Sequence, residues 1–389
     1  MKIVIKKGKE YLIVYYLLWV IYSFMFFLCQ QTELQFMYNT SSLYQYISLV
    51  VGGMLLFLFL LTTKISKLKN LVIYGSVTLI LGLSLLILHD KYLIVMFGFI
   101  LLGRKVDPDQ LIKVDLATKI CVLSTVLFMW WIGFIPNYSS YINGAYKQAL
   151  GFSHPNMLAN VVYIVLLEWM YIHYNKMKIW EYAMILMFAG AVWNVAASRT
   201  SAYTFIIIYI CMIISKFLPN IFQKGIVVNL FAILPMLLTV VSFYLVRLYN
   251  NGNAFAVAIN AITTKRLKQA SIMLDRYRVS MFGQFVDTRG TRSLNYDANA
   301  VFNVDMSYIA IPVRYGIFIL LLILLGYFFF IKKTAKSKNN KLLLFTAYFI
   351  ILGFAETYFY RIQYNVTIAF LLIYVIKDAR RSTRDENKK

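Results

Sequence analysis

The chain has 389 residues, of which 61% are hydrophobic and 14% are charged. A soluble domain contains about 45–50% apolar and about 25% charged residues, so the composition excludes a soluble protein and indicates several membrane-spanning helices. The net charge of +23 would suggest a nucleic-acid partner for a soluble protein. In a membrane protein, basic residues collect in cytoplasmic loops facing anionic lipid, so we expect no nucleic-acid partner.

The sequence does not indicate a metal or cofactor site. Cys29, Cys121 and Cys211 lie in separate apolar runs without the spacing of metal ligands, so we interpret them as packing residues. A basic start is followed by a long apolar run without a small-residue cleavage site, which predicts an uncleaved first span.

Apolar runs separated by polar turns predict an all-α integral membrane protein, a single polytopic domain over residues 1–389. Since roughly 20 residues cross the hydrocarbon core, we count about twelve spans. The fourth run is short and needs its flanking residues to cross. In chain order the predicted spans are Tyr11–Cys29, a second span ending near Thr62, Leu71–Leu88, Tyr92–Gly103, Ala117–Ile135, Asn156–His173, Trp180–Ala197, Tyr203–Leu218, Ile226–Val246, Met306–Ile331, Leu342–Phe354 and Tyr364–Ile376.

The basic residues predict the orientation. Placing both termini in the cytoplasm leaves most of the 39 Lys and Arg residues inside, including the basic tail at residues 377–389, as the positive-inside rule requires. The exception is the polar segment Arg247–Asp305, which becomes a large extracellular loop between spans nine and ten. Long translocated segments tolerate basic residues, but the rule does not explain them, and an anionic partner would.

The extracellular loop divides into two parts. Apolar residues and Arg266 recur at three- and four-residue spacing over residues 255–282, which predicts an amphipathic helix lying along the membrane surface. Gly283 is expected to end this helix. Residues 284–303 show no period and predict an irregular lid leading to Asp305.

Polar residues at the outer ends of several spans are candidates for one site. They include His154, Arg199, Asp305, Glu356 and Arg361, and ionisable groups at membrane depth are functional candidates because they are costly. Each has a structural alternative. His154 suits a helix start, Arg199 suits a side chain that snorkels to headgroups, and Asp305 suits an N-cap. The loop charges equally suit a solvated or headgroup-facing surface.

These residue types permit a limited chemistry. Arginines neutralise a diphosphate, often through bidentate hydrogen bonds. One or two carboxylates can deprotonate a hydroxyl. Together they suit transfer of a group from a diphosphate carrier, with arginines stabilising the departing charge.

Three short motifs resemble those of the bacterial O-antigen and capsular polysaccharide polymerases, which are related to the O-antigen ligases. Gly151-Phe-Ser-His-Pro-Asn156 is similar to the family's G-x-x-H-P-N span entry, and Ala197-Ser-Arg-Thr-Ser201 to its S-R-T turn. Asp305-Met-Ser-Tyr308 followed by Tyr315-Gly-Ile317 is similar to its D/H-N-x-Y…G-I pattern, with Met306 replacing the usual Asn. The resemblance covers roughly Ile120 to Phe330.

The resemblance implies a GT-C-like membrane glycosyltransferase of the bacterial plasma membrane. It would polymerise undecaprenyl-diphosphate-linked repeat units into capsule, exopolysaccharide or O-antigen, with no metal or cofactor. Arg199 and Arg266 would bind the diphosphate, and Asp305 would act as general base on the acceptor hydroxyl. The expected partners are lipid-linked repeat units, membrane lipids, and a flippase and chain-length regulator of the same pathway. The residues expected to contact substrate or shape its pocket are His154, Asn156, Arg276, Arg278, Arg289, Arg292, Tyr308 and Arg361.

Two alternatives remain at this stage. A ligase that joins finished glycan to a different acceptor is not separated from a polymerase by these motifs. A polysaccharide transporter or flippase would place buried charges and broken helices near the midplane of corresponding halves. The sequence shows no internal repeat, and its ionisable residues are expected at one surface.

Overall fold

The computed structural model describes residues 10–63, 68–88, 90–142, 145–287 and 304–373. Most of these residues are helical, and a single hairpin of two antiparallel strands, β1 (Ser139–Ile142) and β2 (Ala145–Gln148), is found among them. The helices are α1 (Tyr11–Gln30), α2 (Leu34–Tyr38), α3 (Ser41–Thr62), α4 (Leu68–Leu88), α5 (Lys91–Gly103), α6 (Pro108–Trp131), α7 (Pro155–His173), α8 (Ile179–Ala196), α9 (Arg199–Phe217), α10 (Gly225–Asn250), α11 (Ala254–Ile262), α12 (Arg266–Arg276), α13 (Ser307–Arg314), α14 (Ile317–Lys336) and α15 (Asn340–Leu352).

Seven helices are long and apolar enough to cross a membrane, namely α1, α3, α7, α8, α9, α10 and α14. Three apolar helices are shorter, namely α5, α15 and the part of α4 over Tyr74–Leu88. Helix α6 has 24 residues but carries Asp109, Lys113, Asp115 and Lys119, and it is not among the seven. These helices support the predicted all-α class and a membrane-embedded chain.

Contacts between distant segments define two ends of the helix bundle. The first end is marked by Lys105 Nζ, which donates to Thr62 O at 2.6 Å. The second end is marked by Tyr364 OH, which donates to Gln31 Oε1 at 3.0 Å. We call this second end the loop end, and it contains α2, the β1–β2 hairpin, α11, α12, α13 and residues 353–363.

The predicted tenth span, Met306–Ile331, is broken at Gly316 into α13 and α14. Gly316 has a φ of 95°, and a Cβ there would lie 2.5 Å from Gly283 N. Only glycine permits this approach. The helix is interrupted at this residue, so the prediction of one continuous helix is wrong. At the break, backbone groups bond to the segment 280–284 instead of to their own helix. The four hydrogen bonds run from Ser280 N to Pro312 O (3.3 Å), Gln284 N to Arg314 O (3.1 Å), Ile317 N to Ser280 O (2.9 Å) and Phe318 N to Met281 O (3.2 Å).

The predicted surface helix over residues 255–282 is also wrong in extent. It forms two helices, α11 and α12, separated by Thr264 and Lys265 with φ of 53° and 67°. The second ends at Arg276, and Gly283 instead packs against Arg314 O at 2.7 Å from its would-be Cβ. The loop itself begins later than Arg247, since α10 continues to Asn250.

The predicted twelfth span, Tyr364–Ile376, is not an α-helix over its described residues. It contains a 3-10 helix, Val366–Phe370, followed by turns up to residue 373. Asn365 replaces part of the missing backbone bonding, because its Nδ2 donates to Phe359 O at 2.7 Å and its Oδ1 accepts from Thr367 N at 3.1 Å. Irregular backbone at membrane depth is tolerated when protein surrounds it, as here between α5 and α6. The predicted basic tail at 377–389 lies outside the described residues.

Two apolar clusters hold the bundle. The larger includes residues of the helices from α1 to α15 other than α11 and α12, together with the 364–373 segment. The smaller lies at the loop end and packs α12 onto α10 and α13 through Leu245, Leu267, Met273 and Ile309. This second cluster fixes the orientation of α12.

A charged triad lies inside the bundle. Lys119 Nζ lies 2.8 Å from Glu168 Oε1 and also pairs with Asp115, and all three side chains are fully buried. Trp19 Nε1 donates to Asp115 Oδ1 at 3.0 Å, joining α1 to α6 and α7. The expectation that ionisable residues lie at one surface is therefore wrong. No local pattern predicts the triad, because Glu168 lies on another helix than Asp115 and Lys119.

Removing the central cation of the triad should destabilise the protein. Lys119→Met leaves Asp115 and Glu168 as buried carboxylates without a counter-charge, which costs about 3–5 kcal/mol. We expect a lower thermal unfolding midpoint for the purified protein in detergent. Lys113→Met is the matched control, because Lys113 is exposed on the same helix. Equal midpoints for the two variants would contradict this role of the triad.

Candidate functional site

The loop end contains a buried arginine held by two carboxylates. Arg266, 4% exposed, donates through Nη2 to Glu356 Oε1 at 2.6 Å and through Nη1 to Asp305 Oδ2. Glu356 is 3% exposed, whereas the Asp305 side chain is 36% exposed. Asp305 Oδ1 has no hydrogen-bond partner within the described part of the chain. Asp305 is thus the accessible member of this carboxylate cluster.

Three distant segments bring this cluster together. The left-handed turn at Thr264–Lys265 directs Arg266 inward, and Asn260 Oδ1 accepts from Lys268 N at 3.0 Å to fix the start of α12. Asp305 precedes α13, whose Ser307 N donates to Gly353 O at 3.0 Å, at the end of α15. Glu356 follows three residues later, so this backbone bond sets the separation of the two carboxylates.

Burial and charge determine the electrostatics of the cluster. Burial raises the pKa of Glu356 to about 8, against the opposing effect of Arg266 and with a further upward contribution from Asp305. Burial alone would lower the pKa of Arg266, but the Asp305 and Glu356 carboxylates outweigh it and raise the pKa. The arginine is therefore a permanent cation, while Glu356 can exchange a proton near neutral pH.

Tyr358 connects this cluster to the predicted His154 motif. Tyr358 contributes to the electrostatic environment of Arg266, and its hydroxyl lies 3.2 Å from Met157 Sδ. His154 is the N-cap of α7, with Nδ1 accepting from Asn156 N at 3.1 Å. The predicted motif therefore lies near the cluster. His154 and Asn156 form the N-terminal cap of α7, which is the structural role considered for His154 as an alternative to a role in the site.

Arg199 lies in a second group of cations at the same end. It is exposed at the start of α9, and its neighbour Lys147 donates from Nζ to Ala197 O at 3.0 Å. Burial, reinforced by the charge of Arg199, lowers the pKa of Lys147. Among the described residues neither cation has a carboxylate within ion-pair distance. Sequence reasoning missed Lys147, which reaches Arg199 only because the hairpin packs on α8.

An apolar groove begins one helical turn below Arg199. It has a volume of about 310 Å³ and lies between α7, α8 and α9. Trp193 and Tyr203 contact each other across it at 5.8 Å between ring centroids. Tyr203 is exposed while Phe205 is buried, so one wall of the groove is open to the membrane and the other is core.

The remaining predicted site residues are placed differently. Tyr308 is fully buried, and its hydroxyl donates to Ile350 O at 2.7 Å, which corrects its predicted contact with substrate. Arg276 and Arg278 are exposed on the surface of the loop. Arg289 and Arg292 lie outside the described residues. Arg361 is partly buried beside Tyr360, Tyr315 and other tyrosines.

The described ranges contain no cluster of three His, Cys, Asp or Glu side chains arranged to hold a metal ion. Comparison with known proteins identified no relative, because no family model matches the chain and no curated protein or solved structure is significantly similar to it. Its function is therefore inferred from the contacts described above and from the three short motifs.

The raised pKa of Glu356 gives the protein a defined pH dependence. The folded protein retains a proton that the unfolded chain releases, so the stabilisation is complete below the ordinary pKa of 4.5 and is lost as pH rises to about 8. We expect the unfolding midpoint to fall across this window, and to fall less in Glu356→Gln. Asp275→Asn, which alters an exposed carboxylate of α12, should keep the wild-type profile. Parallel profiles for wild type and Glu356→Gln would contradict the assignment.

Proposed function

We propose that this chain is a membrane glycosyltransferase that polymerises undecaprenyl-diphosphate-linked oligosaccharide repeat units at the outer face of a bacterial plasma membrane. The loop end would face outward, and both termini would lie in the cytoplasm. The observation that carries this proposal is the Arg266–Asp305–Glu356 cluster, because it presents one partly exposed carboxylate on a fixed cation. The motif resemblance supplies the identity of the sugar carrier.

The donor diphosphate is assigned to Arg199 and Lys147. Within the described ranges these two cations have no carboxylate at ion-pair distance, so their charge favours an anionic ligand. The apolar groove next to them suits the polyprenyl chain. In a lipid-linked donor the charged diphosphate is attached directly to this hydrocarbon chain. This revises the predicted role of Arg266, whose two terminal nitrogens are already occupied by carboxylates.

Asp305 is assigned as the general base. Its Oδ2 is held by Arg266, which leaves Oδ1 to accept a proton from the acceptor hydroxyl. The hydroxyl oxygen forms a bond to the anomeric carbon of the donor. The bond from that carbon to the diphosphate breaks, and the diphosphate leaves with the electron pair, stabilised by Arg199 and Lys147.

Two alternatives are distinguished by experiment. A ligase would transfer the same donor to a chemically different acceptor and would not lengthen lipid-linked chains. A transporter is favoured by the buried Asp115–Lys119–Glu168 triad and by the broken α13–α14 pair. Chain growth by purified protein in detergent, where no second compartment exists, would exclude a role in transport alone.

Replacing the proposed base should slow chain growth without unfolding the protein. Asp305→Asn retains an oxygen for Arg266 but cannot take a proton, so we expect a rate about 10²–10⁴-fold lower. The assay supplies lipid-diphosphate repeat units in detergent and follows chain length on gels. Asp275→Asn is the control, since Asp275 is an exposed aspartate in the same loop. A normal rate in a well-folded Asp305→Asn protein would refute the assignment.

Neutralising the proposed donor site should weaken donor binding. Arg199→Gln and Lys147→Gln each remove one cation, and we expect KM for the lipid-diphosphate donor to rise about tenfold or more. Arg247→Gln removes an exposed arginine from the same end and should leave KM unchanged. If all three variants share one KM, the diphosphate does not bind at Arg199 and Lys147.

A further inference from the structure

A second cavity lies at the loop end, and no residue of the hairpin lines it. Its volume is about 270 Å³, and it lies between α3, the start of α5, the end of α13 and the segment 284–286. Two of its lining residues, Gln45 and Phe285, are exposed, so the cavity reaches the surface. None of the motifs in the sequence includes the charged residues that line it.

The charges of this cavity are predominantly positive. Arg314 and Lys91 line it, and Asp90 is the only carboxylate among its described lining residues. Both oxygens of Asp90 are engaged, Oδ1 by Tyr92 N at 2.9 Å and Oδ2 by Tyr315 OH at 3.3 Å. Asp90 therefore caps α5 and accepts a hydrogen bond from a tyrosine. Tyr315 and, to a lesser extent, Asp90 raise the pKa of Arg314, although Asp90 does not reach ion-pair distance.

A third cation lies close behind this wall. Arg361 is near enough to interact electrostatically with Arg314 and with the lining residues Tyr44 and Tyr92. Its Nε is buried and has no hydrogen-bond partner. Among the residues that the structure describes, neither arginine has a carboxylate within ion-pair distance. Asp90 offsets the charge of Arg314 only from beyond ion-pair distance, so among the described residues the two neighbouring guanidinium groups are incompletely compensated.

We infer that this cavity, which we call the Arg314 cavity, binds a phosphate or diphosphate group through Arg314 and Lys91, with Arg361 adding to the field. Guanidinium groups match phosphate oxygens geometrically, and an anion would relieve the repulsion between Arg314 and Arg361. A volume of about 270 Å³ admits a diphosphate together with water. Tyr358 interacts electrostatically with Arg361 and also with Asp305 and Glu356, which relates the cation behind the cavity to the proposed reactive cluster.

The Arg314 cavity also deepens the proposed function, on which this step rests. A polymerase joins two lipid-linked molecules, and each carries its own diphosphate. Lys147 and Arg199 lie at the turn between α8 and α9, and Lys91 and Arg314 line the separate cavity between α3, α5 and α13. We assign the first pair to the departing diphosphate and the Arg314 cavity to the diphosphate of the acceptor, which is retained in the product.

Binding of inorganic pyrophosphate to the purified full-length protein in detergent tests the cavity directly. Wild type should bind at two sites, and Lys91→Gln should weaken one of them about tenfold or more. Arg314→Gln should abolish the same site and leave the affinity of the Arg199 site unchanged. Lys91 is only partly buried, so its variant keeps the test valid even if Arg314→Gln fails to fold. Lys268→Gln, an exposed lysine of the same end, is the control.

Competition identifies the natural source of the anion. Polyprenyl diphosphate should displace pyrophosphate from the Arg314 cavity at lower concentration than vesicles of phosphatidylglycerol do. The reverse order would overturn the acceptor assignment and identify a lipid-headgroup site. Unchanged pyrophosphate binding in Lys91→Gln and Arg314→Gln would overturn the anion site itself. If pyrophosphate binds there but no chain growth is found, the proposed function fails while the anion site stands.

Discussion

The burial of Arg266 is the constraint on which the loop end depends. A guanidinium that is 4% exposed requires nearby anions, because removing an ion from water costs several kcal/mol that only close partners offset. Asp305 supplies a carboxylate from 39 residues away, and Glu356, which exchanges a proton near neutral pH, accepts a second hydrogen bond from 90 residues away. Two local features bring these three side chains together. They are the left-handed turn at Thr264–Lys265 and the backbone hydrogen bond between Ser307 and Gly353.

A consequence of this arrangement is a division of labour among cations. Arg266 is neutralised by carboxylates and orients Asp305, whereas Arg199 with Lys147 and Arg314 with Lys91 have no carboxylate within ion-pair distance in the described part of the chain. Cations of the first kind position a reactive group, and cations of the second kind attract anionic ligands. The excess positive charge of the chain thus includes a cation held by carboxylates and others that we propose as ligand-binding residues.

Backbone breaks position these residues. Gly316 and Gly283 approach each other more closely than any side chain would allow, and Pro312 has no N–H to continue the helix. The break between α13 and α14 places Arg314 beside the cavity instead of within a continuous span. Pro312 and Gly316, four residues apart in the sequence, were a readable signal of this break. The left-handed turn at Thr264–Lys265 had no such signal, because neither residue type favours that conformation.

The sequence by itself determined the all-α membrane class, since the length and apolarity of a helix are local properties. It also identified Asp305, Arg266 and the His154 and Arg199 motifs as residues of one end. Only the tertiary structure decided which cations are paired, because packing brings Glu356 to Arg266 and Glu168 to Lys119. Packing also leaves Lys147 and Arg314 without a carboxylate within ion-pair distance among the described residues. Ion pairs and cavities depend on distances between segments remote in sequence, and no local pattern encodes those distances.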